Sequence, residues 1–270
     1  LTAVRDALDS ALIALNAAGV ENARLDAELL LAEALGVERT ALYVDRDLQV
    51  RGAAVRRFQE LVRRRAVERE PVAYLLGRKG FRHLELEIDA RVLIPRPETE
   101  LLVELAVAAL PRGARVVDVG TGSGAVALAL ADERPDLAIV GADVSPDALE
   151  VARANGRRLG LAVDWVQADG LPPGAWDGVV ANLPYVETSA SLAPEIAKHE
   201  PAVAVYSGED GLDVIRRVID QAAAARVPWV AFEHGSEQGA DVRVLLSLAG
   251  WSGVRTERDL AGLERVTVGC

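Results

Sequence analysis

The chain has 270 residues, half of them hydrophobic, with a formal net charge of -11 and a pI near 4.9. No apolar run is long enough to span a bilayer, and no charged leader with a cleavage site opens the chain, which starts at Leu1 and contains no Met. The single cysteine, Cys270, excludes an intrachain disulfide framework and a thiolate metal site, and a reducing cytoplasm is the expected compartment.

Residues 1 to about 75 read as a small helical bundle. Val4, Leu8, Ala11, Leu12 and Leu15 share one face at 3.6-residue spacing. Leu25, Leu29 and Ala32 extend that spacing into a second helix, which Gly36 ends, and Val55, Phe58 and Val62 mark a third. The third stretch is rich in arginine: Arg51, Arg56, Arg57, Arg63, Arg64, Arg65 and Arg69. So acidic a chain repels a polyphosphate unless it concentrates basic residues in this way. Because Glu60, Glu68 and Glu70 are interleaved, a solvated helix face is the simpler reading, and a docking surface for an RNA-rich or acidic partner is the other.

The pattern changes at Phe81. The segment from His83 to Ile88 alternates polar and apolar residues and predicts a strand, which Asp89-Ala90 turns into a second strand over 91–94. Pro95 and Pro97 follow, and helical periodicity resumes from Glu98 to Leu110. Beyond Ala114, short apolar runs at 115–119, 138–143, 163–168, 178–182 and 229–233 alternate with helical stretches near 123–132, 146–159 and 211–225. This is the pattern of a doubly wound parallel sheet. The last two strands, 254–258 and 265–269, are joined by too few residues for a parallel crossover and should be antiparallel.

Asp118-Val119-Gly120-Thr121-Gly122-Ser123-Gly124 follows the first parallel strand and opens a helix. Its glycines permit a tight turn against a ligand, and the helix offers free N–H groups. Asp143 ends the next strand, where a carboxylate can accept from two ribose hydroxyls. Such a turn can also serve NAD, FAD or simple strand–helix packing. Three features favour S-adenosyl-L-methionine: the Gly-x-Gly-x-Gly spacing, Asp118 beside the turn where it can attract a cationic amino acid group, and the antiparallel end of the sheet.

Asn182-Leu183-Pro184-Tyr185 ends the fourth parallel strand, on the edge where open sheets bind ligands. An amide or aromatic amino nitrogen is a poor nucleophile because its lone pair is delocalised. Two acceptors holding its hydrogens can orient it, and the Asn182 side-chain oxygen and Leu183 carbonyl suit that task. Tyr185 can pack on the flat acceptor group, and Pro184 stiffens the turn. No general base is required, since the product can release its proton after transfer. His83, His199 and His234 lack metal-ligand spacing, so no metal site is expected.

Asn-x-Pro-Tyr after Asp-x-Gly-Thr-Gly-Ser-Gly resembles the methyltransferases of planar nitrogens. The segment from Val92 to Glu100 is similar, more specifically, to the signature of the release-factor glutamine methyltransferases (the HemK/PrmC type). Further matches are Glu200-Pro201, the segment from Gly208 to Leu212, Glu233-His234-Gly235 with Gln238, and the segment from Asp259 to Gly262 before Arg265-Val266. The resemblance covers nearly the whole chain. It implies an α/β fold: a seven-stranded class I methyltransferase (Rossmann-like) sheet with an antiparallel terminal strand. A small helical substrate-recognition domain over 1–78 would precede it, with a β-hairpin linker and catalytic domain over 79–270. It also implies methyl transfer from S-adenosyl-L-methionine to the side-chain amide of the glutamine in the Gly-Gly-Gln loop of peptide chain release factors, a step tied to translation termination.

On the same basis Asp118, Gly120, Thr121, Gly122, Ser123, Gly124, Asp143, Asp169, Gly170 and Asn182 would bind the cofactor. Asn182, Leu183, Pro184 and Tyr185 would hold the substrate glutamine. A monomer without sequence-specific nucleic-acid or membrane partners is expected. Two positions depart from the family: Gly170 stands where an aromatic residue often packs on adenine, and Leu183 stands where the family has proline. Asn-Leu-Pro-Tyr also resembles the motif of ribosomal RNA adenine dimethyltransferases, which explains neither the helical start nor the segment at Ile94. A third reading is a cofactor-binding scaffold whose catalysis Leu183 has compromised.

Overall fold

The computed structural model describes residues 2–45 and 48–270. Backbone contacts divide the chain into two units, Leu1–Arg78 with Leu192–His199, and Lys79–Ser191 with Glu200–Cys270. The second unit is therefore interrupted by eight residues that fold with the first.

The first unit is helical. Helix α1 (Val4–Ala17) buries Ala7, Leu8, Ala11 and Leu15. Helix α2 (Ala23–Leu35) ends at Gly36, whose left-handed φ of +67° lets its own N–H and that of Val37 reach back to the last carbonyls. The buried face of α2 differs from the expected stripe. Leu25 is exposed, whereas Ala23, Asp26, Ala27, Glu28, Leu30, Leu31 and Ala32 are buried. A helix packed on most of its circumference has no single apolar stripe to read. Helices α3 (Ala41–Val44), α4 (Ala53–Arg63) and α5 (Val72–Leu76) complete the bundle, and β1 (Thr2–Ala3) pairs antiparallel with β2 (Gln49–Val50).

The arginine-rich stretch is largely satisfied internally. Arg57 pairs with Glu33 at 2.8 Å, Arg63 with Glu60 at 2.7 Å and Arg64 with Glu70 at 2.6 Å. Arg65 is itself buried and donates at 2.7 Å to both Asp26 and Glu195. Arg69, held in the left-handed region, also grips Glu195 at 2.6 Å. Glu195 lies on the short helix Pro194–His199, so two arginines bind that returning segment into the bundle.

The second unit opens with a hairpin of β3 (Arg78–Phe81) and β4 (Leu84–Glu87). Here the expectation is corrected: residues 91–94 are not a strand, and the partner of β4 precedes it. Arg82, at φ +52°, makes the tight turn, while Asp89–Val92 is a turn ahead of the prolines. A seven-stranded sheet follows: β5 (Arg115–Val119), β6 (Ala138–Asp143), β7 (Asp164–Gln167), β8 (Gly178–Asn182), β9 (Trp229–Glu233), β10 (Arg255–Arg258) and β11 (Glu264–Gly269). The spatial order is β10-β11-β9-β8-β5-β6-β7. Strands β5 to β9 are parallel, and β11 runs antiparallel to both β9 and β10, as the short connection required.

Strand β5 is buried on both faces through Val116, Val117 and Val119, which is why it reads as a continuous apolar run. Helix Asp213–Ala224 covers one face of the sheet with Ile215, Val218, Ile219 and Ala222. The chain winds outward through β6 and β7, then restarts on the other side of β5 with β8. The order reverses between β5 and β8, which opens a crevice at their carboxyl ends.

Candidate active site

The glycine turn is built by backbone hydrogen bonds across two strands. The N–H groups of Gly120 and Thr121 both donate to the Ala142 carbonyl, at 2.8 and 3.0 Å. Gly120 has φ +75°, and a Cβ on it would lie 3.1 Å from the Leu183 side chain and 3.5 Å from the Asn182 carbonyl oxygen. The turn after β5 and the tetrapeptide after β8 therefore touch, and absence of a side chain at Gly120 is what permits it. A cavity of about 320 Å³ opens at this meeting point.

Asp143, at the end of β6, lines the cavity. One carboxylate oxygen accepts from the Gly122 N–H and the other from the Ser145 N–H, each at 2.9 Å. Each oxygen keeps a lone pair for a ligand hydroxyl. Burial pushes this carboxyl above the ordinary carboxylate range, and the backbone donors oppose that shift. Asp169 also lines the cavity, where Arg217 grips both its oxygens at 2.8 and 3.0 Å. Val144, Ala168 and Val214 supply apolar wall nearby.

Gly170 lines the cavity too, and its backbone explains the missing aromatic ring. Its φ is +94°, and a Cβ there would fall 2.2 Å from Gln221 Oε1, the atom that accepts from the Leu171 N–H at 2.7 Å. No larger residue fits without breaking that bond.

Four residues of the glycine segment do not line the cavity. Asp118 is 1 % exposed, and one oxygen accepts from Thr121 Oγ1 at 2.6 Å and from the Ala127 N–H at 3.1 Å. It braces the turn against the helix, and burial pushes it up to about 7. Thr121 is the donor in that brace. Ser123 is buried, and its carbonyl accepts from Asn155 Nδ2, which also clamps the Glu87 carbonyl and so fastens the hairpin to the sheet unit. Gly124 makes room for Trp165: a Cβ there would lie 2.9 Å from the indole. In this structure the contacts described for these four lie within the turn and its scaffold.

Asn182, Leu183 and Pro184 all line the cavity. The Asn182 Nδ2 donates to Thr99 Oγ1 at 2.9 Å, and among the described residues its Oδ1 accepts nothing. The amide is thus held with its acceptor free. Leu183 is 5 % exposed, its side chain set among the core residues beneath the sheet edge. Tyr185 lies just behind, its hydroxyl 3.5 Å from Glu233 Oε1 and its carbonyl accepting from Gln238 Nε2 at 2.9 Å. Burial, and then the Glu233 charge, push the phenol up to about 12. Among the described residues no group of acidic, His or Cys side chains could hold a metal. Thr99, Glu233 and Arg217 are the contributors that spacing alone did not single out. Thr99 and Glu233 stood only within segments that resemble the family.

Residues 6–77 match the family model of the PrmC N-terminal domain, and residues 97–209 match that of the methyltransferase small domain. A release factor glutamine methyltransferase of Xylella fastidiosa is 43 % identical over 95 % of this chain and 97 % of its own length. The chain belongs to the release factor glutamine methyltransferase family. Another member, from Mycolicibacterium smegmatis, is 42 % identical over 98 % of this chain and 96 % of its own. Among solved structures, the catalytic domain of hMettl16 in complex with MAT2A 3′UTR hairpin 6 aligns with a TM-score of 0.56 at 15 % identity, over 80 % of this chain and 81 % of that one. At that identity the likeness concerns the fold alone. It is the class I methyltransferase sheet, and this member of the family is a methyltransferase. Among the described residues no helix is long and apolar enough to cross a membrane.

Proposed function

We propose that the chain transfers a methyl group from S-adenosyl-L-methionine to the side-chain amide nitrogen of the glutamine in the Gly-Gly-Gln motif of peptide chain release factors. The observation that carries this reading is the contact of Gly120 with the Asn182-Leu183 segment, beside an Asn182 amide whose oxygen is left free. The cavity fits the cofactor. Asp143 has lone pairs for the ribose hydroxyls, Asp169 and the apolar wall of Val144, Ala168 and Val214 suit the adenine, and the glycine turn admits backbone contact.

The cofactor supplies an electrophilic methyl group when bound. The chain's own residues prepare the nucleophile. Asn182 Oδ1 and the Leu183 carbonyl accept the two hydrogens of the glutamine amide and fix its plane, while Pro184 and Tyr185 hold the loop that carries them. Orientation of this kind accounts for a large part of the barrier in a bimolecular transfer. The amide nitrogen takes the methyl group as the cofactor's carbon–sulfur bond breaks, and it passes a proton to solvent.

In this reading the helical unit recognises the release factor, and the enzyme works as a monomer in the cytoplasm. The internal ion pairs of Arg57, Arg63, Arg64, Arg65 and Arg69 favour a protein substrate over RNA, because they occupy charges that a phosphate backbone would need. The test is incubation with cofactor labelled in its methyl group and a release factor carrying either Gly-Gly-Gln or Gly-Gly-Ala. Label on the first and not the second is expected. Equal label on both, or label on ribosomal RNA alone, would overturn the assignment.

A further inference from the structure

Among the described residues that line the cavity there is no aromatic ring. The wall that suits the adenine is gathered from three places in the chain. Val144 follows β6, and Ala168, Asp169 and Gly170 follow β7. Val214 and Arg217 lie three residues apart on the helix Asp213–Ala224, and so share one face of it. Gly170 adds no side chain, and Gln221 at the place of its Cβ keeps it so. The flat groups on this wall are therefore the Asp169 carboxylate and the Arg217 guanidinium.

These two are joined by a fork. Arg217 Nη2 donates to Asp169 Oδ1 at 2.8 Å and Nη1 to Oδ2 at 3.0 Å. Two parallel bonds of this kind fix the guanidinium in the plane of the carboxylate. One turn further along the helix, Gln221 accepts from the Leu171 N–H at 2.7 Å, so the loop is pinned to the helix on both sides of Gly170. The Arg217 side chain is 45 % exposed and that of Asp169 61 %, which places the pair at the mouth of the cavity. An ion pair so exposed contributes little to stability. Its consequence is geometric: in-plane N–H groups are spent on Asp169, and the faces of the guanidinium are left over. Such a face is weakly hydrated and stacks on π systems. With Asp169 answering its charge, it does not oppose a cationic cofactor. Arg91 lines the cavity too, but its nitrogens are divided between Asp89 and Glu150, and it belongs to the segment before the prolines.

We propose that Arg217, held flat by Asp169, is a cofactor-binding residue that packs a face of its guanidinium on the adenine. The proposal rests on the reading of this wall as the adenine site. It makes a planar cation do the work of an aromatic ring, which a lysine cannot do: an ammonium is a compact, strongly hydrated charge without a face.

The experiment measures the binding of S-adenosyl-L-methionine and S-adenosyl-L-homocysteine to the whole chain by calorimetry, with the melting temperature of each unliganded variant recorded in parallel. Arg217→Ala and Arg217→Lys should each weaken binding by about tenfold, the scale of one base stacked on a side chain. Arg217→Trp, flat and uncharged, should recover most of that loss. The two ligands should lose affinity equally, because the contact is made at the base and not at the sulfur. Arg217→Ala or Arg217→Lys binding as tightly as the wild type overturns the proposal. So does an effect confined to the sulfonium ligand, or an Arg217→Trp that binds no better than Arg217→Ala. The alanine and lysine variants decide the matter if Arg217→Trp does not fold. A wild type that binds neither ligand would instead remove the underlying reading of the cavity.

Discussion

Gly120 and Leu183 meet so closely that a Cβ on the glycine would lie 3.1 Å from the leucine Cδ2. The leucine is thus more than a stand-in for the family's proline. Its side chain is part of the core and its backbone is part of the site. Proline at 183 would keep the carbonyl and stiffen the loop, and it would give up part of a buried side chain.

We therefore expect Leu183→Pro to retain methyl transfer within a few-fold of the wild type and to lose about 1–3 kcal/mol of stability, the usual cost of trimming a buried leucine. Denaturant unfolding and the transfer rate together check this. A folded, inactive Leu183→Pro would show that the carbonyl is not held where the mechanism needs it.

Asn182→Ala removes the free acceptor and leaves the cavity wall largely intact. Transfer should fall by about 10²–10³-fold, as for loss of a preorganised group aimed at a reacting centre. Cofactor affinity, measured by calorimetry, should change little. Near-normal turnover would contradict the role given to this amide.

Asp143 holds the Gly122 and Ser145 N–H groups with different oxygens, so Asp143→Asn must turn an NH2 against one of two donors. It also loses one acceptor for the ribose. Cofactor affinity should weaken by about 1–3 kcal/mol, as for the loss of a hydrogen bond to a charged group. An unchanged dissociation constant would place the ribose elsewhere.

Gly170→Phe tests whether an aromatic ring can be restored beside the adenine wall. The position has φ +94° and a neighbouring Gln221 oxygen where the Cβ must go. Strain of this kind costs about 1–3 kcal/mol, before the Leu171 hydrogen bond is counted. We expect a lower melting temperature and weaker cofactor binding. Tighter binding would mean that the loop can rearrange.

The parallel strands were legible because β5, β8 and β9 are buried on both faces and read as apolar runs between helices. The hairpin was misplaced for a local reason. Strand β3 is Arg-Lys-Gly-Phe, of which only Phe81 is buried, so it carries no apolar signal, whereas Val92 and Ile94 are buried but lie outside any strand. The glycine segment was legible as a turn, but not in the direction of its side chains. Whether Asp118 faces a ligand or braces Thr121 is decided by how the turn closes on Ala142, which no spacing records. Thr99 and Glu233 are far apart in sequence, and each meets Asn182 only in the fold, Thr99 by a hydrogen bond from the turn at Pro97 and Glu233 through the register of β8 with β9.

The return of Leu192–His199 to the helical bundle has a practical meaning for anyone who wishes to separate the two halves of the enzyme. Cutting the chain near residue 78 leaves the N-terminal fragment without a segment that packs with it in the intact chain. Arg65 and Arg69 would lose the carboxylate of Glu195, and Asp26 would remain as an acidic partner of Arg65. The loop that leaves the Asn182 tetrapeptide is the same stretch of chain that supplies this missing acid. The helical unit and the methyltransferase unit are in that sense spliced together by one looping passage of backbone.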